Sequence, residues 1–137
     1  MPQHVVAKVG EIEPGTSKIV TVNGRDIGIF NVKGEYYALL NICPHEAAPL
    51  CRGRIVGMVV SSEVGKFEML RQGEMLRCPW HGWQYDIRTG QSWCNPEEAR
   101  VRRYNVTVEP GERIAKGPYI AERFAVSVKD EYIVVEV

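Results

Sequence analysis

Two short pairs of residues carry the chemistry of this chain, Cys43-Pro44-His45 and Cys78-Pro79-Trp80-His81. Each pair sets one thiol and one imidazole a few positions apart, on a segment that reads as a loop between strands. A deprotonated cysteine sulfur and a neutral histidine nitrogen are soft to borderline donors that suit zinc or iron. Cys-x-His and Cys-x-x-His together can hold a metal centre that neither loop could hold alone. The donor count leaves the metal open, because two cysteines and two histidines are also an ordinary complement for structural zinc.

The flanks narrow the choice. The first loop reads Cys43-Pro44-His45-Glu46-Ala47-Ala48-Pro49-Leu50. The second reads Cys78-Pro79-Trp80-His81-Gly82-Trp83-Gln84-Tyr85-Asp86, with Thr89-Gly90 following. With these flanks the chain resembles the Rieske [2Fe–2S] family, above all the ferredoxins and oxygenase components of bacterial ring-hydroxylating systems. The resemblance implies one Rieske-type [2Fe–2S] cluster, with Cys43 and Cys78 on one iron and His45 and His81 on the other. It also implies that the His-bound iron takes the electron, at a higher potential than in an all-cysteine ferredoxin, and that an edge of His45 or His81 is the electron's exit. A structural zinc domain remains the alternative, although zinc does not account for the shared Pro and Gly-Trp flanks.

Such loops need strands to hold them. Val5 to Val9 reads as a first strand, followed by a turn at Glu13-Pro14-Gly15 and a strand from Lys18 to Val22. Asn23-Gly24 is a strong hairpin signal. Asp26 to Val32 returns, Lys33-Gly34 turns, and Glu35 to Leu40 runs into the first metal loop. Short strands with turns between them favour an all-β meander or barrel. The stretch 46–77 is longer than the spacing usual in the family. Ile55 to Ser61 and Glu74 to Arg77 read as its strands. Glu63 to Gly73 reads as an insertion, an extended hairpin with Val64, Phe67, Met69 and Leu70 to pack and Gly65 and Gly73 as turns. Lengthening a loop in this way adds little closure entropy.

Beyond the second loop, Trp83 to Ile87 is expected as a strand, and Asn95-Pro96 as a third loop that the resemblance sets over the cluster. Val101 to Glu109 alternates, with Tyr104, Val106 and Val108 on one face. Pro110-Gly111 and Gly117-Pro118 mark an irregular stretch. Phe124, Val126 and Val128 alternate again, Lys129-Asp130 turns, and Ile133, Val135 and Val137 end the chain. The implied fold is all-β and antiparallel. Residues 1–137 form one Rieske domain, with a β-barrel or sandwich base made from both ends and a small cluster-binding subdomain, about 41–95, inserted in it.

The 137 residues carry 17 basic and 17 acidic side chains, so nothing in the overall charge favours nucleic acid or an anionic membrane. No apolar run reaches the length of a membrane span, and Met1-Pro2-Gln3-His4-Val5 lacks the plan of a signal peptide. The cytoplasm is the expected compartment. Cys51 and Cys94 have no ligand-like partner at short spacing and read as packing residues or inert thiols. His4 reads as solvated. Trp80, Trp83 and Trp93 read as packing around the cluster, with Trp80 a candidate for a docking surface. Arg100, Arg102 and Arg103 read as a solvated strand edge that could also meet an acidic partner.

The leading functional expectation is a non-catalytic electron carrier, a ferredoxin passing single electrons from a reductase to a terminal oxygenase. The alternative is a Rieske subunit of a multi-subunit oxygenase or reductase, such as the small subunit of a nitrite reductase. Independent oxygenase activity needs a mononuclear iron site, often two histidines and a carboxylate, and only His4 remains once the cluster ligands are assigned.

Respiratory members of the family tie their two loops with a disulfide, at the positions of Ala48 and Trp80 here, and place a hydroxyl where this chain has Trp83. Tyr85 matches a tyrosine that donates to a ligand sulfur. Fewer hydrogen bonds to the cluster predict a low potential, well below the upper end of the family range of roughly −150 to +300 mV. Redox titration of the purified protein checks this, and a midpoint near the upper end would contradict it.

Overall fold

Asn23 and Gly24 take φ of 52° and 75°, and Lys33 and Gly34 take 53° and 92°. Two consecutive positive values are what a two-residue type I′ turn requires, and its twist matches that of the strands it joins. These turns fold Ser17–Val22 (β2), Arg25–Val32 (β3) and Glu35–Leu40 (β4) into the expected meander. The structure, a computed structural model, describes residues 2–43, 49–63, 65–80, 82–92, 100–121 and 125–137, with backbone alone at 58–63 and 66–72.

The meander joins Gln3–Lys8 (β1), Arg103–Pro110 (β8) and Glu131–Glu136 (β9) in one antiparallel sheet of order β1-β9-β8-β4-β3-β2. The two edge strands, β1 and β2, both line a cavity of about 720 Å³. The base is therefore a barrel with an open seam. His4 lies beside this seam, half-buried rather than solvated as expected, and its Nε2 has no hydrogen-bond partner among the described residues. The pairing of His4 with Ile120 holds it there.

Every residue from Ile27 to Val32 is buried, because β3 separates two cores. Side chains alternate across a strand. Ile27 and Ile29 enter the barrel interior with Val6, Ala7, Tyr104, Ile133 and Val135. Phe30 and Val32 enter a second core that holds Cys43 and Cys78. Gly28 points the same way as Phe30, and a Cβ there would lie 2.5 Å from the Cys51 sulfur. The strand thus carries a continuous apolar run with a glycine where Cys51 needs room.

The second sheet is Arg54–Glu63 (β5), Lys66–Arg77 (β6) and Gln84–Asp86 (β7), in that order. The inserted stretch is an extended hairpin, as expected, with Ser61 opposite Phe67 and Gly65 at the turn. Gly73 is not a turn. Pairing passes from Val56↔Met75 to Met58↔Leu70, so Gly57 faces residues 71–74 across a bulge. The two short strands expected on either side of the insertion are the lower part of one long ribbon. Glu74, beside this bulge, receives Lys33 at 3.2 Å and Arg88 at 3.6 Å, linking the small sheet to the β3–β4 hairpin.

The C-terminal third departs further from expectation. Residues 111–116 are a short helix, Gly111–Lys116 (α1), where an irregular stretch was expected. Glu112 in its first turn and Arg113 and Lys116 in its last complement the helix dipole. Ile114 is its buried anchor, packing with Val5, Tyr132 and Val134 on the outer face of the sheet. A single anchor gives no readable period. Val126 packs against the same cluster, but the described residues 125–130 form no strand and Val128 is 62% exposed. There the Ser127 N–H donates to the Tyr132 hydroxyl at 2.8 Å instead of to a strand. Val108 is 42% exposed, so the buried stripe of β8 ends before it. Phe124 lies outside the described residues. Among those described, no helix is long and apolar enough to cross a membrane.

Cys51 is 3% exposed, and burial pushes its thiol up to about 12 from 9.0. The native state therefore favours the protonated form. Its contribution to stability is complete below pH 9 and is lost as pH rises from there toward 12. At pH 8, iodoacetamide is expected to leave Cys51 unmodified in the native protein and to label it fully in denaturant. Peptide mapping by mass spectrometry checks this, and native labelling would contradict it.

Candidate metal centre

The first loop leaves β4 at Asn41, whose N–H donates to the Asp26 carbonyl at 2.8 Å. The Asn41 side chain then spans the loop, its Oδ1 accepting the Cys51 N–H at 2.8 Å. A single 3₁₀ turn, Leu50–Arg52, ends the loop with Leu50 and Cys51 buried. Gly53 follows. A Cβ on Gly53 would run into the Arg77 carbonyl, so two backbones touch where only glycine fits. Arg77 directly precedes Cys78, and the exit of the first loop therefore rests on the entrance of the second.

The second loop is tight. The Cys78 N–H donates to the Trp83 carbonyl at 2.7 Å, and the Gly82 N–H donates to the Cys78 carbonyl at 3.1 Å. Gly82 has φ of 72°, a value L side chains rarely adopt. Trp83 packs half-buried against the core below. The chain leaves along β7, which pairs Tyr85 with Leu76. The strand expected at Trp83 to Ile87 is therefore the shorter Gln84–Asp86, held in a turn beyond by Asp86 Oδ1 accepting the Arg88 N–H at 2.8 Å.

Cys43 and Cys78 come together in one buried cluster with Leu50, Cys51, Leu76, Tyr85, Ile87 and Val101. They are 1% and 3% exposed. The Tyr85 hydroxyl lies 3.2 Å from the Cys43 sulfur. This contact crosses from the second loop's exit strand to the first loop's cysteine, and it puts the Tyr85 hydroxyl at a candidate ligand sulfur, where the resemblance sets it. His45 and His81 lie outside the described residues, as do Ala48, Trp93, Cys94, Asn95 and Pro96.

Two sulfurs buried in one cluster, one of them at a hydroxyl, fit a thiolate-ligated metal. Uncompensated burial of a thiolate is costly, and a bound cation deprotonates a coordinating thiol outright and offsets that cost. The hydroxyl proton then supplies a hydrogen bond to the negative sulfur, of the kind that tunes a metal's ligands. Cys51 shares the core but not this role, since its sulfur faces the Leu39 carbonyl at 3.6 Å and its thiol is held protonated.

Three positioning residues escaped the sequence reading. Asn41 and Gly53 have no motif of their own, and Arg77 packs over Gly82, where a Cβ would lie 3.1 Å from its guanidinium. Trp80, whose more expected role was packing, is 57% exposed. Arg100, Arg102 and Arg103 are exposed as expected, with Arg102 over the Tyr104 ring at 5.2 Å and Arg103 donating to the Arg88 carbonyl at 3.0 Å.

Comparison with known proteins agrees with this geometry. A family model described as the Rieske [2Fe–2S] domain matches residues 3–105. The ferredoxin component of a naphthalene 1,2-dioxygenase system from Pseudomonas aeruginosa is 31% identical over 104 residues, covering 76% of this chain and 84% of that protein. Among solved structures, a chain from a complex of reduced oxygenase and oxidised ferredoxin in carbazole 1,9a-dioxygenase has a TM-score of 0.60 at 20% identity. That match covers 96% of this chain and 91% of the other. A protein from Mycobacterium tuberculosis assigned as an NADH-dependent nitrite reductase small subunit has a TM-score of 0.62 at 17% identity, covering 98% and 95%.

Tyr85→Phe removes the hydroxyl at the Cys43 sulfur without emptying its buried site. Losing a donor disfavours the more negative, reduced state. The midpoint potential of the bound centre is expected to fall by several tens of millivolts, up to the ~59 mV that a tenfold change represents for one electron. Protein-film voltammetry of the two proteins measures it. An unchanged midpoint would show that the hydroxyl does not act on the centre.

Proposed function

The chain belongs to the Rieske [2Fe–2S] domain family, and from that premise we propose that it is the ferredoxin component of an oxygenase system, taking single electrons from a reductase and passing them to a terminal oxygenase. It carries one Rieske-type [2Fe–2S] cluster, and its function is electron transfer. The family match sets structural zinc aside. One observation in the structure carries the reading further than kinship does: Cys43 and Cys78 are buried in one cluster of side chains, with the Tyr85 hydroxyl on the first sulfur.

The cluster supplies reversible one-electron reduction without making or breaking bonds to a substrate. The chain's own residues do the rest. Cys43 and Cys78 would hold one iron, in a core where Leu50, Leu76 and Ile87 exclude water. His45 and His81 would hold the other iron and offer the electron its exit. Tyr85 steadies negative charge at the Cys43 sulfur. Residues 41–95 act as the cluster-binding subdomain, their three-stranded sheet standing apart in topology from the six-stranded base. The cytoplasm is the compartment in this reading, and the partners are the reductase and the acceptor oxygenase.

The likeness in fold to the nitrite reductase small subunit, across nearly the full length of both chains, supports a second reading as a permanent subunit of a reductase. Purification separates the two. Reversible one-electron reduction of an isolated monomer by a reductase supports the ferredoxin, and stable co-purification with a large catalytic subunit supports the second reading.

Absorption and EPR spectra of anaerobically purified protein, before and after dithionite, test the cluster and its ligands. A broad visible spectrum that bleaches, with a reduced signal of low average g, is expected. His45→Cys and His81→Cys should each shift that signal toward the all-cysteine type. A colourless zinc protein that resists iron–sulfur reconstitution would overturn the reading.

A further inference from the structure

Three arginines stand beside the two cysteine loops. Arg52 ends the 3₁₀ turn that closes the first loop, Arg54 opens β5, and Arg77 directly precedes Cys78. All three are exposed. Arg54 and Arg77 are cross-strand partners. Like charges directly opposite each other on a sheet are destabilising. None of the three has an ion pair among the described residues, where Glu11, Glu74, Glu109, Glu112 and Asp130 pair with other cations. Among the described residues these three guanidinium groups therefore stand beside the cysteine loops without a paired carboxylate, although the chain as a whole is neutral.

The same loops expose apolar surface. Ile42, next to Cys43, is 47% exposed, and Trp80, two residues after Cys78, is 57% exposed. Large apolar side chains left in water beside a functional site mark an interface, and tryptophan and arginine are the residue types that most often dominate one.

We infer that the face carrying Arg52, Arg54 and Arg77, with Ile42 and Trp80, is the docking surface for a redox protein whose own face is acidic. The inference rests on the electron-transfer reading above and adds the charge of the partner. The three guanidinium groups steer an acidic face toward the cysteine loops, and the exposed Ile42 and Trp80 side chains lose water on contact. Charge of this kind acts chiefly on encounter rate and orientation. The cost of opposing Arg54 to Arg77 is then the cost of keeping that charge beside the cysteine loops.

Small oxidants of opposite charge test this without the natural partner. Reduced holo-protein gives one electron to anionic hexacyanoferrate(III), forming hexacyanoferrate(II), or to cationic hexaamminecobalt(III), forming cobalt(II). Stopped-flow rates are compared between about 0.01 M and about 0.15 M ionic strength, where the screening length falls from about 30 to about 8 Å. The anion's rate is expected to fall with salt by about tenfold and the cation's to rise. Arg52→Gln with Arg54→Gln should flatten both dependences, whereas Arg100→Gln with Arg102→Gln should leave them in place. Arg54→Glu should weaken the anion preference and raise the melting temperature, since it turns the opposed pair into an ion pair with Arg77. A preference for the cation, as Glu46, Glu97 and Glu98 would give if they set the local field, would overturn the inference. So would flat salt dependence in the unaltered protein, or a lower melting temperature for Arg54→Glu. Transfer without anion preference sinks this inference alone, and a chain that takes up no electron sinks the reading beneath it as well.

Discussion

Everything in this chain depends on burying two sulfurs from distant parts of the sequence at one place without a covalent tie between their loops. Noncovalent contacts make the connection. Gly53 lets the end of the first loop lie against the Arg77 carbonyl. The Tyr85 hydroxyl reaches from the second loop's exit strand to Cys43. Asn41 closes the first loop on Cys51, and the Cys78–Trp83 hydrogen bond closes the second. Each is modest in free energy, on the order of 1 kcal/mol for a neutral hydrogen bond. Together they leave the cysteines little freedom before any metal arrives, so less ordering has to accompany binding.

The base supplies the platform. β3 is buried on both faces, and the same strand that fills the barrel with Ile27 and Ile29 floors the cysteine core with Phe30 and Val32. β4 divides its side chains in the same way, Ala38 to the barrel and Leu39 to the cysteines. A shift of one residue in either strand would exchange the two cores. The turns at Asn23-Gly24 and Lys33-Gly34 hold that register.

Legibility followed the range of the signal. The hairpin turns were legible because both central residues need positive φ, which Asn23, Gly24 and Gly34 accept readily, with Lys33 taking it beside Gly34. The [2Fe–2S] cluster was legible through the flanks that carry the family resemblance, and the place of Tyr85 beside Cys43 through the same resemblance. Asn41 and Gly53 were not, since each matters only for what it meets across space. The helix Gly111–Lys116 was hidden because one buried anchor, Ile114, makes no period. Phe124, Val126 and Val128 alternate in sequence as a strand would, yet around Val126 and Val128 the chain follows loop contacts such as Ser127 to Tyr132. The exposure of Trp80 and the half-burial of His4 were likewise set by neighbours that composition does not reveal.

The bulge opposite Gly57 has a consequence for how such a chain tolerates change. Below it, Arg54↔Arg77 and Val56↔Met75 keep the register that delivers Cys78. Above it, the ribbon runs on to Gly65 in a register of its own. Extra residues at the bulge break the ladder, so a slip or a change of length in the upper ribbon need not be transmitted to the lower pairs. The distal hairpin can therefore lengthen, shorten or diversify between related chains while the metal loops stay where they are. An accessory element can be remodelled there without being re-solved against the centre it accompanies.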